Sequence, residues 1–454
     1  MATSLPLTRA PQRASARPTA LGMLGRLAEG LALTLLLVLA LYAPLAHGSL
    51  YPSSLFGFRA LVAVALGLTG VAAALRGRLV LPPPWPAAAL GGFLSFYALS
   101  ARLSPNAFGA GEALLNTLSQ AAGFLLAVAL VRGTRRRGAF LAALLVGALA
   151  MGVYGAAQAL GYGFTATMFD PVPPISSVYY NRIHYAGFLD LVTLAALGLT
   201  LFGPSWWVRL PAGAVALLLY LNLGLTYSDA GWAATGLATL ALLVFWVFRG
   251  RGRSRWVRGA AFMGLFVAGV GGLGAFLFFS TNISGTFVEK LQTLRGVTPG
   301  GELTTAGLGN LYSRLYIYDA TLKVVKEQPL TGVGPGGFIY ALPKWRPPNA
   351  LDFRSGQLHK IVNYAHNDYL QIASEAGVPA AVFFVLFWLA VLGRAREAPI
   401  ACSGLTFGVA ALLVHGLVDG NLTVNHASAF LAYAAAGVLV ARAAEPKKLS
   451  RRPD

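Results

Sequence analysis

An imidazole and a guanidinium carry the chemistry that is easiest to read in this chain. His366 stands where a long polar segment gives way to an apolar run. A neutral imidazole there can take a proton from a hydroxyl, although a solitary histidine can equally be a polar contact. Arg314 flanks the apolar stripe of a helical segment. An arginine so placed needs an anion, because burying it unpaired costs several kcal/mol. Its planar fork suits phosphate oxygens, and a structural salt bridge would satisfy it too.

A second group surrounds YYNRIHYAGFLD, at the start of an apolar run, with Arg182 and His184 at its edge and Asp190 two turns deeper on the face of Arg182. Ionisable groups at such depth are functional candidates by default, and an interhelical ion pair is the alternative. Ser228 and Asp229 fall in the tight turn TYSDAGW. Asp229 is either a turn residue or a site carboxylate, and no nucleophile elbow surrounds Ser228. Asp419 and His426 flank another short turn and read as structural; His47, His359 and His415 have no comparable context.

Two familiar chemistries are set aside. Gly332, Gly334 and Gly337 match GxGxxG, but a helix and Pro329 precede them where a dinucleotide site needs a strand, so a tight docking turn is expected. Cys402 is the only cysteine and lies in an apolar run. It reads as a small packing residue, with no internal disulfide and no Cys/His zinc cluster. Neither feature calls for a dinucleotide cofactor or a Cys/His metal site.

The elements that position these residues are helices in lipid. The chain is 56% hydrophobic and 11% charged, too little charge to cover a soluble domain of 454 residues. Apolar runs of roughly 20 residues recur, and in hydrocarbon such runs must be helical. We place about twelve spans: Leu27–Ala46, Phe58–Leu75, Trp85–Ala101, Ala113–Val131, Ala139–Gly161, Ile183–Phe202, Leu210–Tyr227, Ala230–Phe248, Gly259–Phe279, Val378–Leu392, Ile400–Val418 and Ala427–Val440. The fold expected is an all-α polytopic membrane protein. Its parts are a disordered cytoplasmic tail (1–20), a bundle of about nine helices (21–279), an extracytoplasmic helical loop (280–366), C-terminal transmembrane helices (367–441) and a second cytoplasmic tail (442–454).

The net charge of +19 is a topology signal. Alternate gaps hold Arg76 and Arg78, then Arg132 and Arg135 to Arg137, Arg209, Arg249 to Arg258, and Arg394 with Arg396. The short gaps of the other set hold Arg102 and Arg182, with Arg59 at a span edge. That asymmetry puts both termini in the cytoplasm, adds attraction to anionic lipid and calls for no nucleic-acid partner. The long outer loop carries an amphipathic helix, with Leu311, Leu315, Tyr318, Leu322 and Val325 as its apolar stripe and Asp319 and Lys323 on the far side. Short helices of this kind are expected to lie over the bundle as a lid. HNDYLQIASEAG follows, with Asn367, Gln371 and Ser374 along one side, and Pro379 kinks the chain at the next span.

The order of these motifs resembles the O-antigen ligase and O-antigen polymerase superfamily of bacterial membrane glycosyltransferases. The resemblance rests on NRIHYAG at a span start, TYSDAGW at an outer turn and Arg314 in RLYIYDATLKVVKEQPLTGVGPGGF. Its most specific element is the pair His366-Asn367 followed, after nine residues, by Gly377. The family implies a GT-C-like enzyme of the cytoplasmic (inner) membrane whose site faces outward. Its donor would be a glycan on undecaprenyl pyrophosphate, and its acceptor a hydroxyl of a glycan, lipid A core or protein, with no nucleotide sugar and no metal. By carry-over, His366 would be the base or acceptor-orienting residue and Arg314 the pyrophosphate ligand, with Arg182, Asp229, Asn367 and Tyr318 as further substrate-binding residues. Two departures stand out. Members usually carry an arginine after the serine of the turn, where this chain has Asp229, so either Arg182 supplies that cation or the acceptor chemistry differs. The His-Asn motif usually ends in Gly, Thr or Tyr three residues past the glycine, where this chain has Ala380. The alternative function is a transporter of polysaccharide or lipid-linked sugar, which about twelve spans fit equally well, although no duplicated half is visible.

Overall fold

The computed structural model describes residues 20–49, 51–162, 175–250, 254–261, 264, 305–345 and 362–441. Outside them lie the N-terminal tail, most of the expected span Gly259–Phe279, the first part of the long loop, His359 and the C-terminal tail.

The described chain is helical. Eight helices, α1 (Ala20–Leu45) to α8 (Asp229–Phe248), come first, the others being α2 (Pro52–Arg76), α3 (Pro84–Leu103), α4 (Ala107–Leu130), α5 (Thr134–Ala159), α6 (Arg182–Phe202) and α7 (Trp206–Leu225); their connections are short except residues 160–181 between α5 and α6. After the long loop come α9 (Thr305–Glu327), α10 (Asp368–Ala395), α11 (Ser403–His415) and α12 (His426–Val440). Eight of these are long and apolar enough to cross a membrane: α1, α2, α4 to α8, and α10. The twelve spans expected are therefore met in part. Helix α3 is as long as a span but less apolar, and α11 and α12 are shorter, their apolar runs ending in the turns that hold Asp419 and Asn425.

The core is built around α12 and α6, buried along nearly their whole length. Lipid offers no hydrophobic drive between helices, so close packing of small residues has to supply contact. The crossings are accordingly lined by glycine. A Cβ on Gly437 would come 2.5 Å from the Phe124 carbonyl oxygen, and one on Gly198 would come 2.5 Å from the Gly404 backbone. Cys402 is buried, as its apolar setting implied.

The bundle has two unlike ends. One carries Arg76, Arg78, Arg132, Arg135, Arg136, Arg209, Arg249 and Arg394, and among described residues only Glu29 and Glu397 as acids. The N-termini of α4, α6, α8, α10 and α12 gather at the other. Each is capped there by a side chain: Asn106, Asn181, Ser228, Asn367 and Asn425 accept from the backbone N–H of Gly109, Ile183, Gly231, Leu370 and Ser428. Five helix N-termini on one end make it receptive to anions.

Helix α9 corrects the stripe expected from the sequence. Its buried side is Ile317, Ala320, Thr321 and Val324, while Leu315 and Leu322 are exposed. Small Ala320 and Thr321 let the helix approach closely, and Phe338, Leu342 and Ala365 pack against Ile317 and Ala320. Asp319 and Lys323 do pair outward, at 2.6 Å. Arg314 precedes Ile317 by three residues and so extends the buried side.

Candidate functional site

Asp419 organises the capped end. The turn between α11 and α12 carries it with no exposure at all, and its Oδ1 accepts from the Gly420 N–H at 2.7 Å. His366 Nδ1 lies 3.4 Å from the same oxygen, and an Arg314 guanidinium nitrogen lies 3.5 Å from Oδ2. The two residues that the sequence marks for base and anion chemistry thus meet on one carboxylate. Sequence reasoning had put Asp419 aside as structural. Burial alone would raise its carboxyl, but the imidazoles of His366, His184 and His415 more than offset that and hold it below the ordinary carboxylate range. It is therefore a fixed negative charge at neutral pH.

The turn is itself held by Asp368, a residue the sequence analysis gave no role. Its carboxylate accepts from the backbone N–H groups of Asn421, Leu422 and Thr423 and from the Thr423 hydroxyl, at 2.6 to 3.2 Å. The Asp368 N–H donates to the Gly416 carbonyl at 2.8 Å. Next to it, His366 adopts a left-handed backbone conformation, φ 51°, that costs a non-glycine residue free energy and recurs where a side chain must be aimed. Three bonds hold it there. Tyr318 Oη donates to the His366 carbonyl at 2.9 Å; Asn367 accepts from the Leu370 N–H and donates to the Leu417 carbonyl at 2.7 Å. The Asn367 amide therefore has a backbone partner at both ends, and Tyr318 grips the backbone of His366. Burial, opposed by Arg314, raises the Tyr318 phenol and keeps it protonated.

Tyr364, also missed in the sequence, closes the back of the site. Its ring lies 4.2 Å from that of His366 and 6.3 Å from that of His184. Burial first, then the Asp419 carboxylate, push its phenol up, so it too remains protonated. The first turn of α6 thus contributes His184 from the YYNRIHYAGFLD segment. Arg182, two residues earlier, donates to the Thr226 and Tyr227 carbonyls at 2.9 and 2.8 Å. Its guanidinium therefore sits on the TYSDAGW turn, close to exposed Asp229. Ser228 caps α8. Asp190 does not pair with Arg182. It is bonded instead to His415 at 2.6 Å and Thr235 at 2.7 Å, beneath the site and fully buried, a context for His415 that the sequence did not reveal. His47 and His426 contact the Val178 carbonyl and Gln120 respectively.

The glycine motif makes the docking turn expected of it. Gly332, Gly334 and Gly336 all have positive φ. Val333 and Gly334 N–H groups donate to the Ser374 and Glu375 carbonyls at 2.9 and 3.0 Å, just before the chain breaks at Gly377. The turn therefore seats α9 against the first segment of α10. No group of three or more metal-binding side chains occurs among the described residues.

In chemical terms the site holds an imidazole whose Nδ1 faces a permanent carboxylate, which leaves Nε2 as the proton-accepting nitrogen. The His366 side chain keeps 27% of its surface exposed and that of Arg314 26%, so both are reachable from outside the bundle. Residues 213–385 match the family model described as O-antigen ligase. This part of the chain is similar to the O-antigen ligase family. The matched range runs from α7 into α10 and takes in Arg314, Tyr318, the glycine turn, His366 and Asn367, while Arg182 and Asp419 lie outside it. The apolar helices, eight of them long enough to cross a membrane, mark a membrane protein. No curated protein matches the chain.

Proposed function

We propose that this chain transfers a glycan from undecaprenyl pyrophosphate to an acceptor hydroxyl at the outer face of the cytoplasmic membrane. The observation that carries the reading is the shared carboxylate: His366 and Arg314 flank Asp419 at the capped end of the bundle. His366 Nε2 takes the proton of the attacking hydroxyl while Asp419 orients the ring and stabilises the imidazolium that forms. The acceptor oxygen bonds to the anomeric carbon as the bond from that carbon to the pyrophosphate oxygen breaks. Charge then develops on the leaving diphosphate, where Arg314 and the helix N-termini oppose it. Arg182, docked on the turn beside Asp229, supplies the cation that relatives carry in that turn.

Two experiments test this. The purified full chain in detergent, with no membrane gradient, should convert carrier-linked glycan and acceptor to product. Arg314→Ala should raise the donor KM roughly 10- to 100-fold, the worth of a charge-assisted bond to phosphate. Transport of the glycan across sealed vesicles without any transfer would favour the transporter instead. Sidedness is tested by labelling. The native thiol is buried, so Asp319→Cys supplies an exposed one on α9. A membrane-impermeant maleimide added to spheroplasts should modify it, and modification only after lysis would place the site on the wrong side for this donor.

A further inference from the structure

At the opposite end, three helices converge on one buried acid. Glu29 of α1 is held by Arg76 of α2 and by Arg136 of α5, the latter at 2.5 Å, and Arg136 also donates to the Leu130 carbonyl. The Arg76 side chain lies across Gly25, where a Cβ would come 2.7 Å from its Cγ, so the ion pair has a seat made for it. Glu29 fixes two arginines but neutralises only one charge. Arg26, Arg78 and Arg132 also act on Arg76 electrostatically. Five arginines against one glutamate leave a net charge of +4 at this corner. Arg132 repels Arg136, and its Nε is buried with no hydrogen-bond partner. A fixed, partly exposed cationic group of this size attracts an anion from outside the chain.

The surroundings choose the kind of anion. Leu24 and Leu27 on α1 are 54% and 59% exposed beside the patch, and Leu79 and Leu81, just past α2, are each 71% exposed. A ligand that satisfies both surfaces has an anionic head and apolar chains. We infer that the corner of α1, α2 and α5 binds anionic phospholipid through its phosphodiester headgroup, with acyl chains against the exposed leucines. This site is independent of the transfer reaction, at the far end of the bundle.

The test titrates the purified full chain, in neutral detergent, with phosphatidylglycerol and reads apparent affinity from the rise in thermal midpoint. Phosphatidylglycerol should stabilise the chain and phosphatidylcholine should not. Arg78→Gln with Arg132→Gln spares the Glu29 pairs, so the lipid-free midpoint should stay near wild type. At roughly fivefold per arginine, this pair should weaken the phosphatidylglycerol response about 25-fold. Arg249→Gln with Arg255→Gln removes the same charge elsewhere and should leave the response intact. The inference is overturned if both pairs weaken binding equally, if the two lipids act alike, if neither lipid stabilises the chain, or if inorganic pyrophosphate alone reproduces the effect.

Discussion

His366→Ala should slow glycan transfer by about 10²–10⁴-fold at saturating donor and acceptor, the range for loss of a positioned general base. Asp419→Asn should lose a similar factor, although its side chain is too buried to meet substrate. The double variant should be no slower than the worse single one, because residues that act as a unit lose their effect together. The geometry explains why. Asp419 Oδ1 is fixed by the Gly420 N–H and faces His366 Nδ1. An asparagine would keep an oxygen on the Gly420 N–H and His366 Nδ1 but lose the charge that stabilises the imidazolium, and its amide nitrogen would face the Arg314 guanidinium. The 3.4 Å and 3.5 Å separations around Asp419 are long for hydrogen bonds, as is common before substrate draws a site together. Single-turnover transfer at several donor concentrations, with thermal midpoints alongside, makes the comparison. If Asp419→Asn is well folded and transfers at the wild-type rate, the dyad is not the base. Multiplicative losses in the double variant would mean that the two residues act separately.

The same dyad marks how far the sequence could be read. His366, Arg314, Tyr318 and Arg182 were legible because counting alternate loops places them on one end, and their types announce what they can do. Asp419 was not, since a carboxylate in a short outer turn looks like any other turn residue until the fold carries it to a histidine 53 positions away. One signal did exist: the chain has only 16 acidic residues, so each one in a turn is unusual. Tyr364 and Asp368 were invisible for a related reason, because their partners come from α6 and from the α11–α12 turn. The α9 stripe failed differently. Leucine spacing named Leu315 and Leu322, but beside a crowded neighbour the small residues Ala320 and Thr321 permit closer approach, and the leucines turn outward. Helix existence followed directly from hydropathy. Helix extent was legible as well: the run Ala427–Val440 is α12 (His426–Val440) to within one residue, and Ile400–Val418 is the apolar stretch Ile400–His415 extended into the turn before Asp419.

Gly377→Ala should cost roughly 2–6 kcal/mol of stability, combining ~1–3 for forcing a side chain into a glycine-only conformation with ~1–3 for overpacking. Gly377 has φ 86° and ψ 163°, a break between the first two turns of α10 and its span. A Cβ there would lie 2.2 Å from the Leu330 carbonyl oxygen and 2.9 Å from the Thr331 nitrogen, both backbone atoms that cannot swing aside. The break has a use. It lets residues 368–376 point Asn367 and Asp368 at the turn holding Asp419, while 378–395 continues as the spanning part of α10. The Val378 N–H bonds to the Pro329 carbonyl at 2.8 Å, so the glycine turn and the break lock each other. Moving one should therefore move His366, and transfer should fall further than the lost stability alone explains at a temperature where the variant is folded. Gly393→Ala, in the same helix with no atom within 4 Å of the new Cβ, should be neutral or slightly stabilising. Thermal midpoints of the two variants, with transfer rates measured ten degrees below the lower one, separate the effects. A Gly377→Ala chain that melts with wild type and keeps its rate would show that the break does not aim His366, and the positioning of the base would have to come from Tyr318 and Asn367 alone.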